Sequence, residues 1–265
     1  MSDPRQAAAL LWQHRRAGTT LDALPPGLRP ADKAQGHAIQ AQLPVVTGHR
    51  LAGWKIAATS AAGQQHINVK GPMAGRILDS FVRAQGEPVS LAGNRMRVVE
   101  PEFAFRIGTD LPPRAAPRST GEVLAAVASL HPAFEVPDSR YTVFTEVGEA
   151  QLIADDACCG VFLFGPAAPG DWRTLDLASH RVRASVVGSD GQPRYARDGE
   201  GRAALGDPRV ALTWLVNELS SLDVTLTAGQ TISTGTCMVP LEIQPGDSVH
   251  ADYGVLGRIE IVLRA

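Results

Sequence analysis

Hydrophobic positions in the first fifty residues repeat at three-to-four spacing, and after Gly48 the texture changes to short strand-like runs. Over Arg5 to Gly18, the residues Ala8, Leu11 and Trp12 share one helical face, and Gly18 is a stop signal. Leu24-Pro25-Pro26-Gly27 breaks the chain, and a second helix is predicted from Ala31 to Leu43, ended by Pro44. Residues 1–48 therefore read as an N-terminal helical arm on a larger β-rich domain, 49–265. In that domain strands are predicted at Arg50 to Ala57, Ile77 to Val82, Arg97 to Ile107, Ala133 to Val136, Gly160 to Phe164, Arg181 to Gly188, Thr231 to Thr234 and Arg258 to Leu263. They are rich in Val and Ile and bounded by Gly, Pro, Asp and Asn. Helices are predicted at Gly121 to Leu130 and at Pro208 to Leu222. Asp207 caps the second, proline opens it, and Ala211, Leu212, Leu215 and Leu219 form its apolar stripe. The fold class is α+β and mostly β, without the strand-helix alternation of a doubly wound sheet.

Composition narrows the function classes. Of 265 residues, 44% are hydrophobic, enough for a sizeable core, and the net charge of -2 with scattered basic residues argues against a nucleic-acid partner. No apolar run approaches a membrane span, and Met1-Ser2-Asp3-Pro4-Arg5-Gln6 lacks a signal-peptide layout, so the expected location is the cytoplasm. Cys158, Cys159 and Cys237 make neither a disulfide framework nor a zinc motif.

The chemistry-bearing pattern is Val98-Val99-Glu100-Pro101-Glu102-Phe103-Ala104-Phe105. On a strand, Glu100 and Glu102 point to one face while Val99, Phe103 and Phe105 point to the other. Adjacent carboxylates repel unless they are solvated, protonated or bridged by a cation. A hard cation suits them, namely magnesium, manganese or calcium. The competing reading is a solvent-facing strand, which Pro101 favours because proline prefers edges. Glu135, inside the apolar His131-Pro132-Ala133-Phe134-Glu135-Val136, needs a metal or a partner such as Arg140. Lys55, in Leu51-Ala52-Gly53-Trp54-Lys55-Ile56-Ala57, is either a strand-surface lysine or a functional amine, and Asp79 in Ile77-Leu78-Asp79-Ser80-Phe81 is a similar case.

The order of these motifs resembles the 2-oxo-4-pentenoate hydratases and their decarboxylase relatives, within the fumarylacetoacetate hydrolase superfamily. The matching stretches are Gly53-Trp54-Lys55-Ile56 through Thr59-Ser60, Gly75-Arg76-Ile77-Leu78-Asp79, Glu100-Pro101-Glu102, Phe134-Glu135-Val136 with Ser139-Arg140, and Ile153-Ala154-Asp155-Asp156-Ala157 with Gly160. They continue through Ala204-Leu205-Gly206-Asp207-Pro208, Thr234-Gly235-Thr236, Pro245-Gly246-Asp247 and Leu256-Gly257. The resemblance implies a mixed β-roll or barrel with a helical arm. It implies Mg2+ or Mn2+ on Glu100, Glu102 and Glu135, catalytic roles for Lys55 and Asp79, and substrate binding by Thr234, Gly235 and Thr236. It also implies a homo-oligomer, a small 2-oxo acid substrate and association with a pathway decarboxylase. The activity expected is hydration of a 2-hydroxypenta-2,4-dienoate-type acid, as in aromatic catabolism. Decarboxylation of a 2-oxo-3-enedioate (4-oxalocrotonate type) is the first alternative, and a non-catalytic metal- or 2-oxo acid-binding protein is the alternative of another class. Ala57-Ala58 and Asp156-Ala157-Cys158 depart from the hydratase pattern, which more often has a glycine at the first and Asn, a small residue and Ser at the second.

Overall fold

The structure, a computed structural model, describes residues 3–265; Met1 and Ser2, part of the N-terminal stretch read above, lie outside the described residues. In chain order the elements are α1 (Pro4–Ala17), α2 (Lys33–Gln40), α3 (Leu43–Thr47), β1 (Leu51–Ala57), α4 (Ala61–His66), β2 (Met73–Leu78), β3 (Val82–Arg83), β4 (Val89–Ser90), β5 (Val98–Ile107), α5 (Thr120–Ala125), β6 (Val127–Val136), α6 (Glu149–Ala154), β7 (Val161–Phe164), β8 (Arg181–Val187), β9 (Pro193–Glu200), α7 (Pro208–Ser221), β10 (Thr231–Thr236), β11 (Leu241–Glu242), β12 (Ser248–Asp252) and β13 (Arg258–Arg264).

Two sheets carry the fold. The larger runs β2-β1-β10-β5-β6-β7-β3, with β11 paired to β5, and the smaller runs β4-β13-β12-β8-β9. Alternation along the strands makes the core. Phe103 and Phe105 from β5 and Leu130 and Phe134 from β6 share one buried cluster with Val182, Ala184 and Val186 of β8, Val249 of β12 and Ile259 and Ile261 of β13. Helix α7 adds Ala211, Leu212, Leu215 and Leu219 to it, and Asp207 accepts from Arg209 N at 2.7 Å as its cap. These apolar faces leave the opposite face of the central strands free for polar side chains.

The helical arm packs onto the body through its own apolar stripe. Ala7, Ala8 and Leu11 of α1 cluster with Leu24, Ile39, Tyr141 and Ala154, while Leu43 joins Ile77, Leu78, Phe81 and Phe162. Asp3 caps α1 by accepting from Arg5 N and Gln6 N, and Gly18 closes it at φ 62°.

Several sequence expectations need correction. Pro44 does not simply end the second helix: α2 stops at Gln40, and Pro44 sits in the first turn of α3, where its missing N–H is no loss. The helix expected over Gly121 to Leu130 ends at Ala125, and Val127 and Leu130 enter β6 opposite Ile107 and Phe105. An Ala/Val/Leu run has no period to separate the two, and pairing with β5 decides it. The strand expected at Ile77 to Val82 starts earlier, at Met73, and breaks at Asp79 into a single 3-10 turn. Pro101, read as an edge signal, lies on β5 between β10 and β6. The ladder beside it is irregular, because β10 carries a bulge between Ser233 and Thr236.

Candidate metal centre and active site

Glu100 and Glu102 emerge from the face of β5 opposite Val99, Phe103 and Phe105, which are core residues. Pairing of β6 with β5 puts Glu135 directly across from Glu100. One carboxylate oxygen from each of the three lies within 4.8 Å of the others. Glu102 and Glu135 are completely buried, and Glu100 partly so.

The carboxylates are only half satisfied. Glu102 Oε2 accepts from the Ser233 hydroxyl and from Gly235 N at 3.0 Å, and Glu135 Oε1 accepts from Gly160 N at 3.3 Å. Glu102 Oε1 and Glu135 Oε2 have no hydrogen-bond partner. Lys55 Nζ stands 3.3 Å from Glu135 Oε2, an ion-pair contact without hydrogen-bond alignment. Burial pushes Glu135 up to about 7, against the pull of Lys55 and with a further rise from Glu100. Burial also raises Glu102 well above the usual carboxylate range, helped by Glu135 and then Glu100, and it raises Glu100. At 4.8 Å, an effective dielectric constant near 20 makes each ionised pair cost about 3–4 kcal/mol. The donor set is all hard oxygen, with two buried acceptors left over, so it fits a divalent cation.

Local sequence builds each position. The β10 bulge opposite Glu102 turns Gly235 N toward that carboxylate, and Gly235 adopts φ 91° with the Thr59 hydroxyl where a Cβ would stand, at 2.4 Å. Lys55 lies on β1 in register with Gly75 of β2, and a Cβ at Gly75 would meet Lys55 Cγ and Cδ at 2.8 and 2.9 Å. The lysine therefore runs across the glycine, 3% exposed, and its Nζ donates to Ala157 O at 2.9 Å. Burial alone would lower this ammonium, but Glu135 and Glu100 carry it above its ordinary value.

The segment meeting Lys55 is unusual. Asp156, Ala157 and Cys158 have φ of 57°, 52° and 58°, three consecutive non-glycine residues in the left-handed region. Each costs on the order of 1–2 kcal/mol. Asp155 anchors the turn: Oδ2 accepts from Ser139 Oγ at 2.7 Å and Arg140 N at 2.9 Å, Oδ1 accepts from Arg140 Nε, and its carbonyl accepts from Arg140 Nη2 at 2.8 Å. Arg140 is thus committed to Asp155, and Glu135 faces the lysine and the other glutamates. Asp156 accepts from Arg76 N at 2.6 Å, its other oxygen is unpartnered, and burial pushes it up to about 7 against the Arg76 hydrogen bond, Arg15 and Arg140. Burial holds Cys158 near 12 and Cys159 well above its usual range, so both thiols are neutral at pH 7.

Among the other expected site residues, Asp79 lies apart from the cluster and the Thr234-Gly235-Thr236 segment meets it through a backbone N–H. Asp79 is not brought to the cluster. Lys55 pairs with Gly75, and Asp79 lies four residues further along, about 13 Å at strand rise. There its half-exposed carboxylate sits 3.2 Å from Arg50 Nε and 3.3 Å from His49 Nδ1. Desolvation raises it, but the Arg50 hydrogen bonds together with the charges of His49 and Arg50 outweigh this and hold it below its usual range. Thr234 is fully buried and spends its hydroxyl on Phe103 O at 2.9 Å, while Thr236 Oγ1 donates to Met238 O at 2.8 Å. Of Thr234, Gly235 and Thr236, it is Gly235 N that reaches a cluster residue. Sequence reasoning gave no role to Ser233, to Gly160 or to the Ala157 carbonyl. A serine in an apolar strand immediately before Thr234-Gly235 was a usable signal for the first; the other two stand in a matching stretch but act through backbone atoms, which residue type does not report.

Comparison with known proteins places the chain in a family. Residues 58–264 match the family described as Fumarylacetoacetate (FAA) hydrolase C-terminal. The chain is 35% identical over 203 residues to a 2-hydroxyhexa-2,4-dienoate hydratase of Comamonas testosteroni, covering 76% of this chain and 74% of that one. It is 29% identical to a 2-keto-4-pentenoate hydratase of Paraburkholderia xenovorans (strain LB400), over 96% and 92%. Among solved structures, 4-oxalocrotonate decarboxylase from Pseudomonas putida G7, complexed with magnesium and adipate, superposes with a TM-score of 0.84 at 23% identity, covering 99% of both chains.

Proposed function

This chain belongs to the fumarylacetoacetate hydrolase family, and from that premise we propose that it adds water to a short unsaturated 2-oxo acid of the 2-hydroxypenta-2,4-dienoate type, giving a 4-hydroxy-2-oxo acid. The observation that carries the reading is the cluster of three convergent carboxylates, Glu102 with an unpartnered buried oxygen and Glu135 with one that meets only the ammonium of a buried lysine. The names of the hydratase relatives support hydration as the reaction. The chemistry is that of a carbon-oxygen lyase.

Glu100, Glu102 and Glu135 would hold a divalent cation, Mg2+ or Mn2+ in this proposal. Bound there, the cation supplies Lewis-acid withdrawal of electron density from the substrate's 2-oxo group. The protein's own residues handle protons and water. Lys55 Nζ, held between Ala157 O and Glu135, carries a proton at the cluster's edge. It delivers that proton to the distal carbon of the dienoate while the 2-hydroxyl proton passes to solvent, from which Nζ regains its proton, giving the conjugated 2-oxo-3-enoate. Water then adds across the double bond, its hydroxyl to the fourth carbon and its proton to the third. General acid-base help of this kind contributes about 100- to 10,000-fold. Asp79, remote on the surface and paired with Arg50, has no part in this proposal.

A steady-state assay with Mg2+ tests the reading. Loss of the ultraviolet absorbance of 2-hydroxypenta-2,4-dienoate, without carbon dioxide release from a 2-oxo-3-enedioate, is the expected result. Carbon dioxide release from the second substrate alone would make the chain a decarboxylase, and metal binding without turnover on either would make it a sensor. The same proposal carries a homo-oligomer, association with a pathway decarboxylase and a cytoplasmic location, to be tested by light scattering, co-purification and fractionation. No helix among the described residues is long and apolar enough to cross a membrane.

A further inference from the structure

The turn at residues 155–160 is pinned from every side. Besides the Asp155 anchor, Asp138 N donates to Cys158 O at 3.1 Å. The Cys159 thiol donates to Arg76 O at 3.3 Å. Arg15, from α1 of the arm, donates through Nη1 to Cys159 O at 2.7 Å and through Nη2 to Gly160 O at 3.0 Å. Two groups leave this turn toward the cluster: the Ala157 carbonyl to Lys55 and Gly160 N to Glu135. A right-handed continuation of α6 would turn successive carbonyls along that helix. The left-handed run at Asp156, Ala157 and Cys158 instead presents the Ala157 carbonyl to Nζ.

We propose that this left-handed turn is a positioning device for Lys55, held in shape by the Asp155–Arg140 clasp inside and by Arg15 of the arm outside. Asp155, Arg140 and Arg15 are positioning residues: they act on the lysine through the turn. The proposal rests on the functional reading of Lys55 given above. It gives the arm a catalytic consequence, because a residue of α1 sets the place of a site amine on β1.

Asp155→Asn tests it, since the amide keeps the shape and loses the charge that holds Arg140. The expected result is a fall in kcat of about tenfold or more, with KM for 2-hydroxypenta-2,4-dienoate within about threefold and the Kd for Mg2+ alone rising by clearly less than kcat falls, since Gly160 N also leaves this turn for Glu135. In a Lys55→Ala background the same substitution changes the residual rate by less than about twofold, because there is no amine left to misplace. Equal fold-losses in both backgrounds, an unchanged kcat, or a loss of Mg2+ affinity matching the loss of kcat would each overturn the proposal. If Asp155→Asn fails to fold, as judged by circular dichroism, Arg15→Met carries the same expectations with the buried clasp intact. Full activity of Lys55→Ala alone would sink the functional reading itself, and that single variant tells the two failures apart.

Discussion

Metal-free protein should lose stability as pH rises through neutrality, and Mg2+ should remove the part of the loss that the three glutamates cause, leaving the part due to Asp156. The sign follows from the carboxylates. Glu135 moves from 4.5 to about 7 because it is buried, with Lys55 opposing and Glu100 adding. Its folded form therefore binds its proton more tightly than the unfolded form does. The stability this confers is complete below the unfolded value near 4.5 and is lost as pH rises through about 7. A shift of that size is worth about 3 kcal/mol. Glu102, raised well above its range, extends the decline to higher pH. For a chain of this size, 3 kcal/mol corresponds to roughly 6–12 °C in Tm. Thermal unfolding of protein stripped with chelator, followed by circular dichroism from pH 5 to pH 8.5, should show a fall of that order. Added Mg2+ should raise Tm far more at pH 8 than at pH 5, since at low pH protons already occupy the site. Glu102→Gln sharpens the test. Its amide oxygen can still accept from Ser233 and Gly235 N, but one negative charge is gone. The metal-free pH dependence should flatten, and Mg2+ affinity by titration calorimetry should fall by about 100-fold or more, beyond what losing an outer-shell partner costs. A Glu102→Gln protein that binds Mg2+ as tightly as wild type, or a metal-free Tm flat across this range, would refute the reasoning.

Lys55→Ala should lower kcat by about 100- to 10,000-fold while Mg2+ affinity changes less than about tenfold; an unchanged steady-state rate would remove the lysine from the reaction. Ser233→Ala strips one of the two donors to Glu102 Oε2 and should weaken Mg2+ binding by about 10- to 100-fold, read by calorimetry, with native affinity counting against a role for the hydroxyl. Asp79→Asn should leave kcat within about threefold, because its partners are Arg50 and His49 at the surface; a loss of two powers of ten would return Asp79 to the site. Asp156→Asn keeps an acceptor for Arg76 N and removes a carboxylate that burial holds near 7. Asparagine also tolerates the left-handed conformation, so metal-free Tm should rise at pH 8 and not at pH 5, and equal shifts at the two would contradict the buried-charge account.

Period-two alternation made β5 readable, because Val99, Phe103 and Phe105 had to face a core and so Glu100 and Glu102 had to face away from it. Capping chemistry likewise marked the start of α7 at Asp207. What alternation could not convey was register. That Glu135 stands across from Glu100 is a consequence of the β5–β6 register, and that Arg140 turns to Asp155 instead follows from how the loop after β6 meets the end of α6. Asp79 shows the opposite failure. It shares a strand-turn motif with residues that do line Lys55, yet the distance from Gly75 along β2 carries it out to the surface. β9 was missed for its composition: it reads Pro-Arg-Tyr-Ala-Arg-Asp-Gly-Glu and pairs along its length with β8 as its one neighbouring strand.

The charge balance of the cluster is the strongest constraint on what it binds. Glu100, Glu102 and Glu135 bring three negative charges when ionised, and Lys55 brings one positive charge 3.3 Å from Glu135. The remainder of two negative charges is neutralised by one divalent cation. A monovalent ion would leave a buried charge uncompensated, and a second divalent ion would reverse the sign. Lys55 therefore has two tasks, and they compete at the moment of transfer, because giving up the proton also removes the charge. Its ammonium makes the three glutamates affordable with a single divalent ion, and the same proton is the one the proposed reaction hands to carbon. Replacing Lys55 by Met would test the coupling: one more uncompensated negative charge should tighten Mg2+ binding even as turnover collapses. Loss of both together would show that the lysine supports the cluster's structure and not its charge.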